Sequence, residues 1–268
     1  MKRESRQQAG GFRVHLRVSR APPQFRARSN PTIHSSNNPA PLCGFTLVEM
    51  LVVIAILGIL MGLLVPVLAR GKDKAIRLTD VNNLKQQTLA MHLYCSDNAD
   101  GLPWPNWFAG DGPNRPGWLY TLDTSVTGPA RFKVETGLFW KTLHERKLYM
   151  CPADRTNTLL FCKRAQQISS YVMNGAVNGY DRALAPLRLA DFSPQAAVFW
   201  ETDEEDPEYF NDGASRPNEG VSARHSLGAI YGAFGGSVAF IKFDDWYREA
   251  AETNRSRLWC YPNSGNGR

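Results

Sequence analysis

Gly44-Phe45-Thr46-Leu47-Val48-Glu49-Met50-Leu51-Val52-Val53-Ile54-Ala55-Ile56-Leu57-Gly58-Ile59-Leu60 is the stretch on which the reading of this chain turns. From Phe45 to Val65 every residue is apolar or small except Glu49. A helix needs about 20 such residues to cross a bilayer. A carboxylate within the run costs roughly 2.5–3.5 kcal/mol at a membrane centre, so Glu49 reads as a charge kept for a purpose. Gly58 and Gly62, four apart, would let a second helix approach closely.

A small residue, then Phe45, then Glu49 four positions on, then an unbroken apolar run resembles the class III signal of type IV pilins and type II secretion pseudopilins. The resemblance implies cleavage between Gly44 and Phe45 by a prepilin peptidase, with N-methylation of the new terminus at Phe45. It puts Glu49 at the fifth mature position, where it would pair with the Phe45 amine of a neighbouring subunit. It puts Pro66 where such helices often carry a proline. It also implies a single-pass protein of the inner membrane with its C-terminal domain outside the cytoplasm. Basic residues flank both ends of the run, Arg26 and Arg28 before it and Arg70, Lys72, Lys74 and Arg77 after it, so charge alone selects no topology.

Residues 1–44 lack apolar periodicity, are rich in Arg, Ser, Asn and Pro, and read as a disordered basic leader that is cleaved. The leader is long for this signal, and Val14, Leu16 or Val18 would serve as alternative starts. It holds eight of the 31 Lys and Arg but only Glu4 of the 25 Asp and Glu. The basic pI near 9.1 therefore belongs to the leader, and the near-neutral remainder argues against a nucleic-acid partner.

Beyond the transmembrane helix at 45–66, Leu78, Val81, Leu84, Thr88, Met91 and Cys95 recur in steps of three and four. They predict that the same helix continues as a soluble half over 67–98, with Asn82, Asn83, Lys85 and Gln86 off the packed face. Asp97-Asn98-Ala99-Asp100-Gly101 and Pro103 then break it. Residues 99–268 suffice for one extracytoplasmic domain. Trp104, Trp107 and Trp118 lie in a Pro- and Gly-rich loop, as a core lid or a carbohydrate platform. A short helix is expected at 137–147, strands at 170–173, 196–200, 229–234 and 238–243, and a helix at 245–252 capped by Asp244. Gly235-Gly236 reads as a two-residue hairpin turn. The expected fold is α+β, pilin-like: an antiparallel sheet lying on the soluble half of a long N-terminal helix.

A second resemblance extends further. Asn83-Leu84-Lys85-Gln86, Tyr94, Asp100-Gly101-Leu102-Pro103, Cys151-Pro152 and Ser170-Tyr171-Val172-Met173-Asn174-Gly175 are similar to a pseudopilin-like family of planctomycetes and verrucomicrobia. That family ends in His, nine residues, then Asp-Gly. Here His225 is followed after nine residues by Gly235-Gly236, so the Asp is missing.

Few residues offer catalytic chemistry. His144-Glu145 begins like a zinc-protease helix but lacks the second His. Gly235-Gly236-Ser237 precedes a strand rather than the helix that a nucleophile elbow needs. His225 reads as a structural hydrogen bonder, and the chain reads as no enzyme. No cofactor is expected. Glu201, Asp203, Glu204, Glu205, Asp206, Glu208 and Asp212 form the best metal candidate, for calcium, though without an ordered ligand spacing. With Cys43 in the leader, Cys95, Cys151, Cys162 and Cys260 allow two disulfides, expected as Cys151 with Cys162 and Cys95 with Cys260. Two functions stay in view. One is a structural pilin-like subunit whose partners are the membrane, other pilin-like subunits and a secretion or pilus machine. The other is a membrane-tethered envelope enzyme or carbohydrate-binding module that uses the same signal.

Overall fold

The computed structural model describes residues 44–107, 111–112, 115–182, 184–225 and 228–268, and the expected leader, Cys43 included, lies outside them. By its contacts the chain divides into two units, Met1–Ile54 and Ala55–Arg268. A single α-helix, α1 (Leu47–Asp97), runs for 51 residues with Pro66 inside it. It ends where the breakers predict: the amides of Asn98 and Asp100 both bond to the Cys95 carbonyl, and Ala99 and Asp100 adopt positive φ.

The packed face of α1 is Asp80, Asn83, Leu84, Gln87, Thr88, Ala90, Met91 and Cys95. Leu84, Thr88, Met91 and Cys95 of the expected stripe are buried, Val81 is half-buried, and Leu78 is 61% exposed. Asn83, expected off the face, is part of it. Its amide nitrogen donates to the carbonyls of Lys147 (3.2 Å) and Met150 (3.0 Å), and that of Gln87 donates to the Leu148 carbonyl (2.7 Å). These side chains satisfy the backbone of a segment that has no strand to pair with.

After α1 come β1 (Asp111–Gly112), β2 (Arg115–Pro116), α2 (Trp140–Leu143), α3 (Leu159–Lys163), β3 (Tyr171–Asn174), β4 (Ala197–Glu201), β5 (Ala214–Ser215), β6 (Gly228–Ala233), β7 (Val238–Lys242) and α4 (Phe243–Ala251). The helix expected over 137–147 is one turn, α2, closed by His144 in the left-handed region and followed by a 3-10 turn at Arg146–Tyr149. Helix α4 starts at Phe243 without a side-chain cap, so Asp244 and Asp245 lie in its first turn rather than capping it.

The sheet has the order β5-β3-β4-β6-β7. It is mixed rather than antiparallel, because β5 runs parallel to β3 while the other pairs are antiparallel. Two residues returning from a long excursion leave no alternation to read, which is why β5 escapes a sequence pattern. Both faces of the sheet are covered. Tyr171, Met173, Phe199 and Ile230 join the core that holds Leu84, Met91 and Cys95 of α1, while Val172, Trp200, Tyr231 and Ile241 pack with Trp246 and Ala250 of α4. A register shift between Ala197 and Phe199 sends both Val198 and Phe199 to the α1 face. That bulge resets the alternation, so Trp200 faces α4 and Glu201 faces α1.

Trp118 is fully buried and donates its indole N–H to the Gly213 carbonyl (2.9 Å), and Trp107 is also buried, so these two serve the core. Strands β6 and β7 are joined through residues 234–237, closed by the Ala233 amide on the Ser237 carbonyl (2.8 Å), a longer loop than the expected two-residue turn. Only Gly236 uses a positive φ, of 84°. At Gly235 a Cβ would come within 2.8 Å of Pro194 Cβ and of its carbonyl oxygen. Pro194 thus leaves no room for a side chain at this position.

Candidate functional site

Two places bring chemistry-bearing residues together. The first is the start of α1. Thr46 stands just before the helix, its hydroxyl accepting from the Glu49 amide (3.3 Å) while Glu49 Oε2 accepts from the Thr46 amide (2.8 Å) and hydroxyl (2.7 Å). This reciprocal capping box satisfies two amides that the helix leaves open. Among the described residues α1 is the one helix long and apolar enough to cross a membrane. Its most apolar 18-residue window has mean hydropathy 3.0, and none of that window is buried. Gly58 and Gly62 are open as well, since a Cβ on either meets nothing within 4 Å.

The second place lies between α1 and the sheet. Asp80 comes from α1, Glu201 from the end of β4, Cys151 from the turn after Tyr149, and His225 from the segment that leads into β6. All four are buried, and one potential ligand atom from each lies within 4.8 Å of the others. His225 Nε2 is 3.1 Å from Glu201 Oε2, 3.4 Å from Asp80 Oδ2 and 3.5 Å from Cys151 Sγ. The remaining atoms are held from outside. Tyr171 OH donates to Asp80 Oδ1, Arg224 Nη1 donates to Glu201 Oε1 (3.1 Å), and the Ala153 amide donates to Cys151 Sγ (3.3 Å). Asp154 adds a further layer, gripped by Arg164 (2.7 and 3.2 Å) and near Arg224 Nη2 (3.2 Å).

Proximity shifts these groups. Burial and the charge of Glu201 raise the Asp80 carboxyl. Burial would raise Glu201 too, but His225 and Arg224 outweigh it and hold that carboxyl below its usual value. Burial would lower His225, yet Asp80 and Glu201 carry it up to about 9. Burial, with both carboxylates nearby, pushes the Cys151 thiol well up.

Comparison with known proteins bears on the first place. Residues 43–65 match the prokaryotic N-terminal methylation motif. The chain is also 46% identical over 56 residues to a type II secretion system core protein G of Klebsiella michiganensis, covering 21% of this chain and 39% of that protein. Core protein G of Pectobacterium carotovorum subsp. carotovorum is 46% identical over 55 residues, covering 20% and 35%. That of Klebsiella pneumoniae is 46% identical over 56 residues, covering 21% and 40%. The matched part thus spans about two fifths of these relatives. No solved structure matches the chain.

The sequence-derived candidates distribute unevenly over this picture. Gly44, Phe45, Glu49, Gly58, Gly62 and Pro66 stay together along one segment. The acidic run does not form one site: Glu201 faces His225, whereas Asp203, Asp206 and Asp212 accept from the amides of Glu205, Glu208 and Ala214 in their own turns. All four cysteines are free thiols, Cys162 exposed and the others buried, so neither expected pairing is made here. Cys151 instead meets His225, and Cys260 Sγ lies 3.5 Å from Asn174 Nδ2. Asp80 carries no signal in the sequence, because a carboxylate off the apolar stripe reads as solvated. The usable signal is local: Cys151-Pro152 and Arg224-His225 each stand in a short motif of the sequence.

Proposed function

We propose that the chain is a pseudopilin-type structural subunit, anchored in the inner membrane by residues 45–66. It assembles through that helix with other pilin-like subunits of a type II secretion or type IV pilus system. The observation that carries this reading is the methylation motif over 43–65 at the head of a helix whose apolar half is wholly exposed. Such a surface needs lipid or neighbouring helices around it. The open flanks at Gly58 and Gly62 suit close approach by a second helix. Prepilin peptidase would cut between Gly44 and Phe45, and Phe45 would be methylated. The domain that follows would stand outside the cytoplasm. Mass spectrometry of the membrane-bound protein tests the proposal: the expected N-terminal peptide begins with methylated Phe45. An intact leader, or a terminus elsewhere, would overturn it.

A further inference from the structure

The pseudopilin reading does not use the cluster between α1 and the sheet, and the cluster has geometry of its own. Asp80 and Glu201 are 0% and 1% exposed, yet Asp80 Oδ2 and Glu201 Oε2 have no donor in hydrogen-bond geometry. Both oxygens, with Cys151 Sγ, converge on one ring nitrogen, His225 Nε2. One ring N–H cannot serve both carboxylate oxygens fully, and an unsatisfied buried carboxylate oxygen is costly.

We propose that Asp80 Oδ2, Cys151 Sγ, Glu201 Oε2 and His225 Nε2 are the four ligands of a tetrahedral zinc site that fastens α1 to the sheet. Zinc takes this mixture of sulfur, nitrogen and oxygen at about 2.3, 2.0 and 2.0 Å, for which a tetrahedron has N–O edges of about 3.3 Å and an N–S edge of about 3.5 Å. The three edges that meet at Nε2 are 3.1, 3.4 and 3.5 Å. Calcium and magnesium, which want six or more oxygens, do not suit a thiolate and an imidazole.

The surroundings agree. Tyr171, Arg224 and the Ala153 amide occupy the other lone pairs of Asp80, Glu201 and Cys151, which aims the free ones inward, as outer partners do around bound metals. Binding releases the thiol proton of Cys151 and the Nε2 proton of His225 to solvent. Three anionic ligands around a dication leave one negative charge, and the Arg224 guanidinium beside Glu201 offsets it. A cleft of about 1030 Å³, lined in part by Asp73, Arg77, Asp154, Arg224 and His225, reaches the cluster at His225. All four positions are filled by protein, which marks a structural rather than a catalytic site.

The test uses the full chain purified in detergent, stripped with chelator and reloaded with Zn²⁺ or Co²⁺. Elemental analysis should find one zinc per chain, and the Co²⁺ form should show tetrahedral visible bands with a sulfur-to-cobalt charge-transfer band. Cys151→Ser should lose the charge-transfer band and at least tenfold in affinity, while Cys162→Ser keeps both. A chain that stays metal-free after equilibration with Zn²⁺ holds only an ion-paired cluster and overturns the proposal, as does an unchanged Co²⁺ spectrum in Cys151→Ser. Should that variant not fold, the wild-type spectrum decides alone, because absence of sulfur charge transfer removes Cys151 from the ligand set.

Discussion

At Glu49 the capping box and the proposed assembly contact ask for different chemistry. A cap needs only an acceptor near the Thr46 amide, and glutamine supplies one. Pairing with a neighbouring α-amine needs the charge. Glu49→Gln should therefore be cleaved and stay in the membrane, as wild type does, yet fail to crosslink into oligomers. Thr46→Ala, which removes the hydroxyl from the cap at a cost of about 1 kcal/mol in helix stability, should still crosslink. Wild-type crosslinking yields from Glu49→Gln would show that the carboxylate's charge plays no part in assembly. The membrane segment was legible at this scale because its signal is local: composition, one charge and one small residue before it. The His225 cluster was not, since its meaning depends on which distant side chains share its space.

Among the elements, α1 and the four expected strands lie within about a residue or two of their expected ends, the ordinary tolerance, whereas β1, β2 and β5 carry no pattern to read. Hydrophobic periodicity reports burial against a broad apolar surface, and β3, β4, β6 and β7 all have one. It fails where a polar side chain is buried to satisfy backbone. Asn83 has no place in an apolar stripe, but it is 3% exposed and bonds two carbonyls and Tyr171 OH. Asn83→Ala should cost about 1–3 kcal/mol in denaturant unfolding, because the Met150 carbonyl loses its donor and the Lys147 carbonyl keeps only the Met150 amide. Leu78→Ala, at a residue 61% exposed that the stripe had placed in the core, should stay within about 0.5 kcal/mol. Equal costs for the two would mean that the apolar stripe, not the polar one, seats this helix. The bulge at Val198 was invisible for a similar reason: it shifts no composition, only the face to which Glu201 belongs.

For the molecule taken whole, the cluster joins positions 80, 151, 201 and 225, which lie on four segments far apart in sequence. An ion held by all four binds the folded chain and not the unfolded one, so its binding energy adds to stability. With free Zn²⁺ at a hundred times its dissociation constant, the gain is about 2.7 kcal/mol. For a body of this size each kcal/mol moves the thermal midpoint by about 2–4 °C. Chelation of the zinc-loaded chain should accordingly lower the midpoint by roughly 5–10 °C, and restored Zn²⁺ should recover it. Cys162→Ser should respond like wild type, because its thiol is exposed and outside the cluster. Glu201→Gln, which keeps the shape but removes one anionic ligand, should respond less. Cys151→Ser should melt at about the same temperature with and without chelator. An ion that stabilised the chain from elsewhere would leave the chelator response of Cys151→Ser as large as that of wild type, and that result would place the four side chains in an ordinary buried ion cluster.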